Sequence, residues 1–148
     1  MSILSTMRSS ASALLAERLR MDVISNNVAN INSTRTATGG PYKRLQPVFQ
    51  PDRGNKNSFS ARFASFFGRA EMPRGVLVNQ IKEDQTQGKL VYDPNHPDAD
   101  AAGFVEFPNV DIVQEMTDMM GATRAYEANV TVMNAAKAMA MKALDIKA

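Results

Sequence analysis

The stretch IVQEMTDMMGATRAYEANVTVMNAAKAMAMKAL, residues 112–144, decides the fold of this chain. Its apolar positions return at alternating steps of four and three, through Ile112, Met116, Met119, Thr123, Tyr126, Val130, Met133, Lys137, Ala140 and Leu144. That spacing is the seam of a coiled coil. The N-terminal end repeats it from Leu4 through Met7, Ala11, Leu14, Arg18, Met21, Ser25 and Val28, with Arg18 and Ser25 as weak points. Two such ends imply a helical hairpin. At about 1.5 Å of rise per residue, a helix over Ile3–Ala29 is about 40 Å long and one over Val110–Ile146 about 55 Å. Ordinary globular helices average about 11 to 12 residues, so these lengths point to an assembly element.

A second stripe, Val132, Ala136, Met139, Ala143 and Ile146, lies around the C-terminal helix from the first. One partner helix cannot cover both. The second is expected to face other chains, with packing on the chain's own middle segment as the alternative.

With 148 residues, 44% of them hydrophobic, the chain is large enough for one domain core. It has no cysteine, which excludes disulfides, thiolate catalysis and cysteine metal sites together. Arg8, Glu17, Arg18 and Arg20 interrupt any secretory-signal core, and nothing reaches the length of a transmembrane span. On these facts alone the cytosol is the default. The net charge of +2 gives little attraction to nucleic acid, but its distribution is uneven. Between Pro41 and Arg74 the bases Lys43, Arg44, Arg53, Lys56, Arg62, Arg69 and Arg74 face only Asp52 and Glu71. From Gly75 to Asn109 the balance reverses. Either these are two ordinary solvated surfaces, or the chain complements itself or its neighbours.

The first helix should end near Asn30, where Asn26, Asn27, Asn30, Asn32, Ser33 and Thr34 favour turns. Leu45–Gln50, Gly75–Ile81, Lys89–Tyr92 and Phe104–Phe107 read as short strands. The expected architecture is therefore mainly α with a β-rich insert, the terminal helices pairing as a coiled-coil hairpin around a small β subdomain. Residues 1–35 form the N-terminal helix and its exit, 36–108 the β-rich middle, and 109–148 the C-terminal helix. Gly121 interrupts the last helix, permitting a bend or a close backbone approach, or serving no purpose.

Catalytic signatures are missing. There is no phosphate loop, no nucleophile elbow and no metalloprotease helix, and His96 is the only histidine. Asp93, His96, Asp98 and Asp100 gather possible metal donors, but Pro94 and Pro97 favour a rigid hydrated turn. No enzyme activity, metal or cofactor is expected. Phe59, Phe63, Phe66 and Phe67 would share one face of a short helix flanked by Arg62 and Arg69, suited to packing or a protein interface ahead of lipid or nucleic acid.

The run Ser25-Asn26-Asn27-Val28-Ala29-Asn30-Ile31-Asn32-Ser33-Thr34 resembles the signature that follows the N-terminal helix of bacterial flagellar rod and hook proteins. Gly39-Gly40-Pro41-Tyr42-Lys43-Arg44, Lys89-Leu90-Val91-Tyr92-Asp93-Pro94, Asn109-Val110-Asp111-Ile112-Val113 with Glu115-Met116, and Arg124-Ala125-Tyr126-Glu127-Ala128-Asn129 resemble the proximal-rod FlgC family in particular. The resemblance spans both helices and most of the β region. Residues 57–70, the phenylalanine-rich segment, depart from it.

The resemblance implies a structural subunit of the basal-body rod, self-assembling through its terminal helices into a tubular drive shaft around the export channel. It implies passage through the flagellar type III export apparatus without a cleaved signal, and a place in the rod within the periplasm, which displaces the cytosolic default. Implied partners are other rod proteins and membrane-ring or rod-adaptor proteins, with no nucleic acid and no small-molecule substrate. Asn27, Ala29, Asn30 and Thr34 fall on the rod signature. Within a subunit, Leu14, Met21 and Val28 are expected to pack against Met119, Tyr126, Val130 and Met133. Leu15, Val132, Ala136, Met139 and Ile146 are expected to meet adjacent subunits. The rival reading is a soluble helical-hairpin adaptor or chaperone of a secretion system.

Overall fold

The computed structural model of the chain describes residues 3–37, 39–52 and 74–145. The phenylalanine-rich segment 57–70 and Ile146 lie outside the described residues. Helix α1 (Ile3–Ala29) is followed by strands β1 (Leu45–Pro51), β2 (Val76–Glu83), β3 (Lys89–Tyr92) and β4 (Phe104–Phe107), then by helix α2 (Ile112–Asp145). The two long helices enclose a small β region in sequence, as the patterning implied. Helix α1 contains neither Gly nor Pro, so nothing breaks it before the asparagines at its end. At the start of α2, Asp111 Oδ1 accepts the Val113 N–H at 2.8 Å and the Gln114 N–H at 3.4 Å, capping backbone donors that a helix start leaves free.

Strands β1 and β2 form one two-stranded sheet, β3 and β4 another. Pro47 and Pro51 are tolerated in β1 because a two-stranded sheet leaves each strand one unpaired edge. The second pair is antiparallel in the register Lys89↔Phe107 to Tyr92↔Phe104.

The chain divides into two compact units. The first comprises Met1–Arg18, Phe49–Asn79 and Arg124–Ala148. There the Val76 N–H donates to Ser12 Oγ at 3.1 Å while that hydroxyl donates to the Ser9 carbonyl at 2.7 Å, fastening the start of β2 to α1. Asp52 and Gly75 pair through a 2.9 Å backbone bond. Ser10, Ala16 and Ala136 are buried.

The second unit comprises Leu19–Val48 and Gln80–Thr123. In it the helices run antiparallel, since Met21 meets Thr123 while Asn27 meets Glu115. Val23, Ile24, Val105 and Ala122 are buried. Asp84 orders the turn after β2 by accepting the Thr86 hydroxyl at 2.7 Å and N–H at 3.0 Å; those bonds, with the hydroxyl foremost, hold its carboxyl below the ordinary range.

The covered face of α2 differs from the sequence expectation. It runs through Glu115, Met119, Ala122, Tyr126, Asn129, Met133, Ala136 and Ala140, all buried or half-buried at heptad spacing. Met119, Tyr126, Met133 and Ala140 are shared with the expected seam, whereas Met116, Thr123, Lys137 and Leu144 are exposed. The displaced steps fall one residue earlier, on Glu115, Ala122, Asn129 and Ala136. Alanine permits close backbone approach, and the carboxylate of Glu115 is satisfied by partners that hydrophobicity does not reveal. Helix α1 shows a similar shift, with Ser10, Val23, Ile24 and Asn27 buried while Leu4 is exposed.

Two glycines separate close packing from open space. A Cβ on Gly88 would stand 1.8 Å from the Phe107 carbonyl oxygen, whereas one on Gly121 meets nothing within 4 Å. Among the described residues, no close approach at the Cβ position therefore accounts for Gly121. Gly88→Ala should destabilise the chain by about 1–3 kcal/mol through backbone displacement. Gly121→Ala should stabilise it by about 1 kcal/mol, the helix-propensity difference. Urea unfolding of both full-length variants, followed by circular dichroism, checks the opposite signs.

Candidate functional site

The most thoroughly buried part of the second unit is polar. Glu115 and Asn27 are 0% and 1% exposed, and with Val105 they are the largest fully buried side chains among the described residues. An isolated carboxylate in such a place costs many kcal/mol, so its partners decide whether it stays. Glu115 Oε1 accepts from Arg44 Nε, and Oε2 accepts from Asn27 Nδ2 at 3.1 Å. Arg44 Nη2 extends the pairing to Asp118 Oδ2 at 3.2 Å, and Arg20 Nη2 reaches Asp118 Oδ1 at the same distance.

Asn27 uses both ends of its amide. Its Nδ2 donates to the Leu45 carbonyl at 2.9 Å as well as to Glu115. Its Oδ1 accepts the Leu45 N–H and the Tyr42 hydroxyl, each at 2.9 Å. One side chain on α1 thus closes hydrogen bonds with the first residue of β1 and with the first turn of α2. Asn109 adds a strut, its Oδ1 accepting the Arg44 N–H at 2.9 Å. Burial, then the carboxylates of Glu115 and Glu83, raise the Tyr42 phenol above its usual 10.0.

The exit from α1 is built by the residues beside this junction. Asn30 Nδ2 donates to the Asn26 carbonyl at 2.9 Å, and Asn30 Oδ1 accepts the Ser33 hydroxyl at 3.1 Å. The Thr34 hydroxyl donates to Asp98 Oδ2 at 2.7 Å. A turn then returns the chain, with Gly39 and Gly40 at φ of 87° and 74° where other residues would be strained. Tyr42 N–H closes it on the Ser33 carbonyl at 3.0 Å.

The polar loop between β3 and β4 is held by its own acids. Asp93 Oδ1 accepts from Asn95 N–H, Asp100 Oδ1 accepts from Ala102 and Phe104 N–H, and His96 Nδ1 accepts from Asp98 N–H. One oxygen each of Asp93 and Asp100 and the Nδ1 of His96 thereby shape the turn.

The family described as Flagella basal body rod protein matches residues 7–37, and Flagellar basal body rod FlgEFG protein C-terminal matches residues 101–146. The flagellar basal-body rod protein FlgC of Borreliella burgdorferi is 45% identical over 150 residues, covering 99% of this chain and 98% of its own. Its Bacillus subtilis counterpart is 48% identical over 142 residues, covering 93% of each, and that of Salmonella typhimurium 38% over 146 residues, covering 99% and 98%. The chain belongs to the FlgC family of flagellar basal-body rod proteins.

Of the residues at and beside the polar junction, Asn27 and Asn30 lie in one matched region and Glu115 and Asp118 in the other, while Tyr42, Arg44 and Leu45 lie between the two. Ala29 ends α1 with its side chain exposed. Leu14, Met21, Val28, Met119, Tyr126, Val130 and Met133 are each half-buried. Leu15, Val132 and Met139 are 71%, 44% and 58% exposed. Ala136 is a correction: expected to face a neighbour, it is 1% exposed within the single chain, because it lies in line with Met133 and Ala140 on the covered face. Sequence reasoning missed the pairing of Arg44 with Glu115. Only the place of Glu115, one step before Met116 on the heptad, hinted at its burial. Among the described residues no helix is long and apolar enough to cross a membrane.

Asn27→Leu should lower stability by about 2–4 kcal/mol, because it strands the Leu45 N–H and one oxygen of Glu115. Urea unfolding reads that loss directly. The raised Tyr42 pKa adds a pH signature. Stability drawn from the neutral phenol is complete below about pH 10 and is lost as pH rises through the higher folded-state value. Ultraviolet titration should show a phenol ionising above the usual 10.0, and Tyr42→Phe should remove that step.

Proposed function

We propose that this chain is a structural subunit of the proximal rod, which builds the tubular drive shaft around the export channel by packing its terminal helices. The observation that carries this reading is the near full-length match to FlgC proteins at 45% identity, with the signature asparagine at the centre of a buried junction. The work is mechanical and associative, with no catalytic step. Torque passes through lateral contacts, so each subunit must hold its helices in a fixed register while presenting apolar surface to its neighbours. The junction of Asn27, Arg44 and Glu115 supplies the register. Residues such as Leu15, Val132 and Met139 supply the surface.

In this reading α1 and α2 pair as a coiled coil, with Leu14, Met21 and Val28 against Met119, Tyr126, Val130 and Met133. The heptad spacing of the covered residues on α2 supports it. The chain sits in the periplasmic part of the basal body beside other rod proteins and the membrane-ring or rod-adaptor proteins, and it gets there through the type III export apparatus without a cleaved signal. The export path suits long helices that gain their full burial only when neighbours arrive.

Cell fractionation with a motility assay tests the proposal. The native chain should appear in purified basal bodies, and Met133→Asp should be synthesised normally yet yield non-motile cells without completed rods. Normal swimming by that variant would contradict the seam. A chain found only as a soluble cytosolic species would contradict the rod assignment and favour the adaptor.

A further inference from the structure

A two-stranded sheet with one covered face normally turns polar residues to solvent on the other. The β3–β4 hairpin does not. Its covered side carries Val105, 1% exposed, while the opposite side carries Leu90, Tyr92 and Phe104 at 56%, 65% and 42% exposure. The register sets Tyr92 directly across from Phe104, their rings edge to face at 5.2 Å, and Leu90 across from Glu106. Gly103 keeps this surface close, for a Cβ there would stand 2.9 Å from the Tyr92 ring. Acids border the patch: Glu106 shares its face, Asp93 follows Tyr92, and Asp100 Oδ1 accepts the Phe104 N–H at 2.9 Å. A fitting partner combines aromatic side chains with positive charge.

The chain carries one such sequence. Between residues 53 and 74, Phe59, Phe63, Phe66 and Phe67 alternate with Arg62 and Arg69, and Glu71 is the only acid. We propose that the outward face of the β3–β4 hairpin is the docking surface for residues 53–74 of a neighbouring copy of this chain. Two different and complementary surfaces on one chain give head-to-tail contacts, which propagate around a ring or along a helical tube. Aromatic residues supply contact area and arginines supply pairing with the acidic border, so the contact also sets which copies meet and in what orientation. The inference rests on the rod reading only in requiring copies to lie side by side.

The test places a photo-cross-linking benzoylphenylalanine at Leu90 of the full chain in cells, followed by irradiation, basal-body purification and peptide mapping. The expected product has twice the chain mass and links Leu90 to a peptide within residues 53–74. Combining Arg62→Glu with Arg69→Glu should lower its yield, per chain present in the fraction, by about tenfold. A cross-link mapping elsewhere, a product of single-chain mass, or no product from incorporated chains would overturn this inference and leave the rod reading intact. Absence of the chain from basal bodies would overturn both.

Discussion

Glu115 can be buried only because Arg44 and Asn27 meet it, and the arrangement of the second unit follows from that requirement. Removing one partner from such a buried pair typically costs about 3–5 kcal/mol, since the remaining charge is stranded away from water. The three residues come from α1, the entry to β1 and the first turn of α2. Satisfying one carboxylate therefore fixes the place where three distant pieces of chain converge.

Register is the property such a junction gives and an apolar seam does not. The covered face of α2 is largely Ala and Met, side chains that tolerate displacement by a turn at little cost. Sliding α2 by one turn would carry Glu115 away from Arg44 and Asn27, so the junction penalises every register but one. A shaft subunit has particular need of this. On the proposed reading its helices hold position under load, with exposed residues such as Leu15, Val132 and Met139 offered to neighbours.

Element boundaries were legible because local chemistry writes them. The turn-forming residues from Asn26 to Thr34 marked the end of α1, and Lys89–Tyr92 and Phe104–Phe107 read as strands with the bounds the structure gives β3 and β4. The covered faces were less legible. Hydrophobicity favours Met116 over Glu115 and does not favour Ala136 over its neighbours, whereas the fold covers Glu115 and Ala136. Their burial depends on partners distant in sequence, Arg44 above all, and on alanine's small volume, neither of which periodicity registers. Asn27 drew attention through the family signature, but its four bonds to Leu45, Tyr42 and Glu115 come from tertiary structure.

A double-mutant cycle between Asn27 and Glu115 tests the junction most directly. The full-length chain, Asn27→Ala, Glu115→Ala and the double variant would be unfolded in urea under identical conditions. If the two side chains act as one unit, the double variant loses less than the sum of the singles, with a coupling energy of at least about 1 kcal/mol. Strict additivity would mean that the contact between them contributes nothing to the fold, and that the register is held elsewhere.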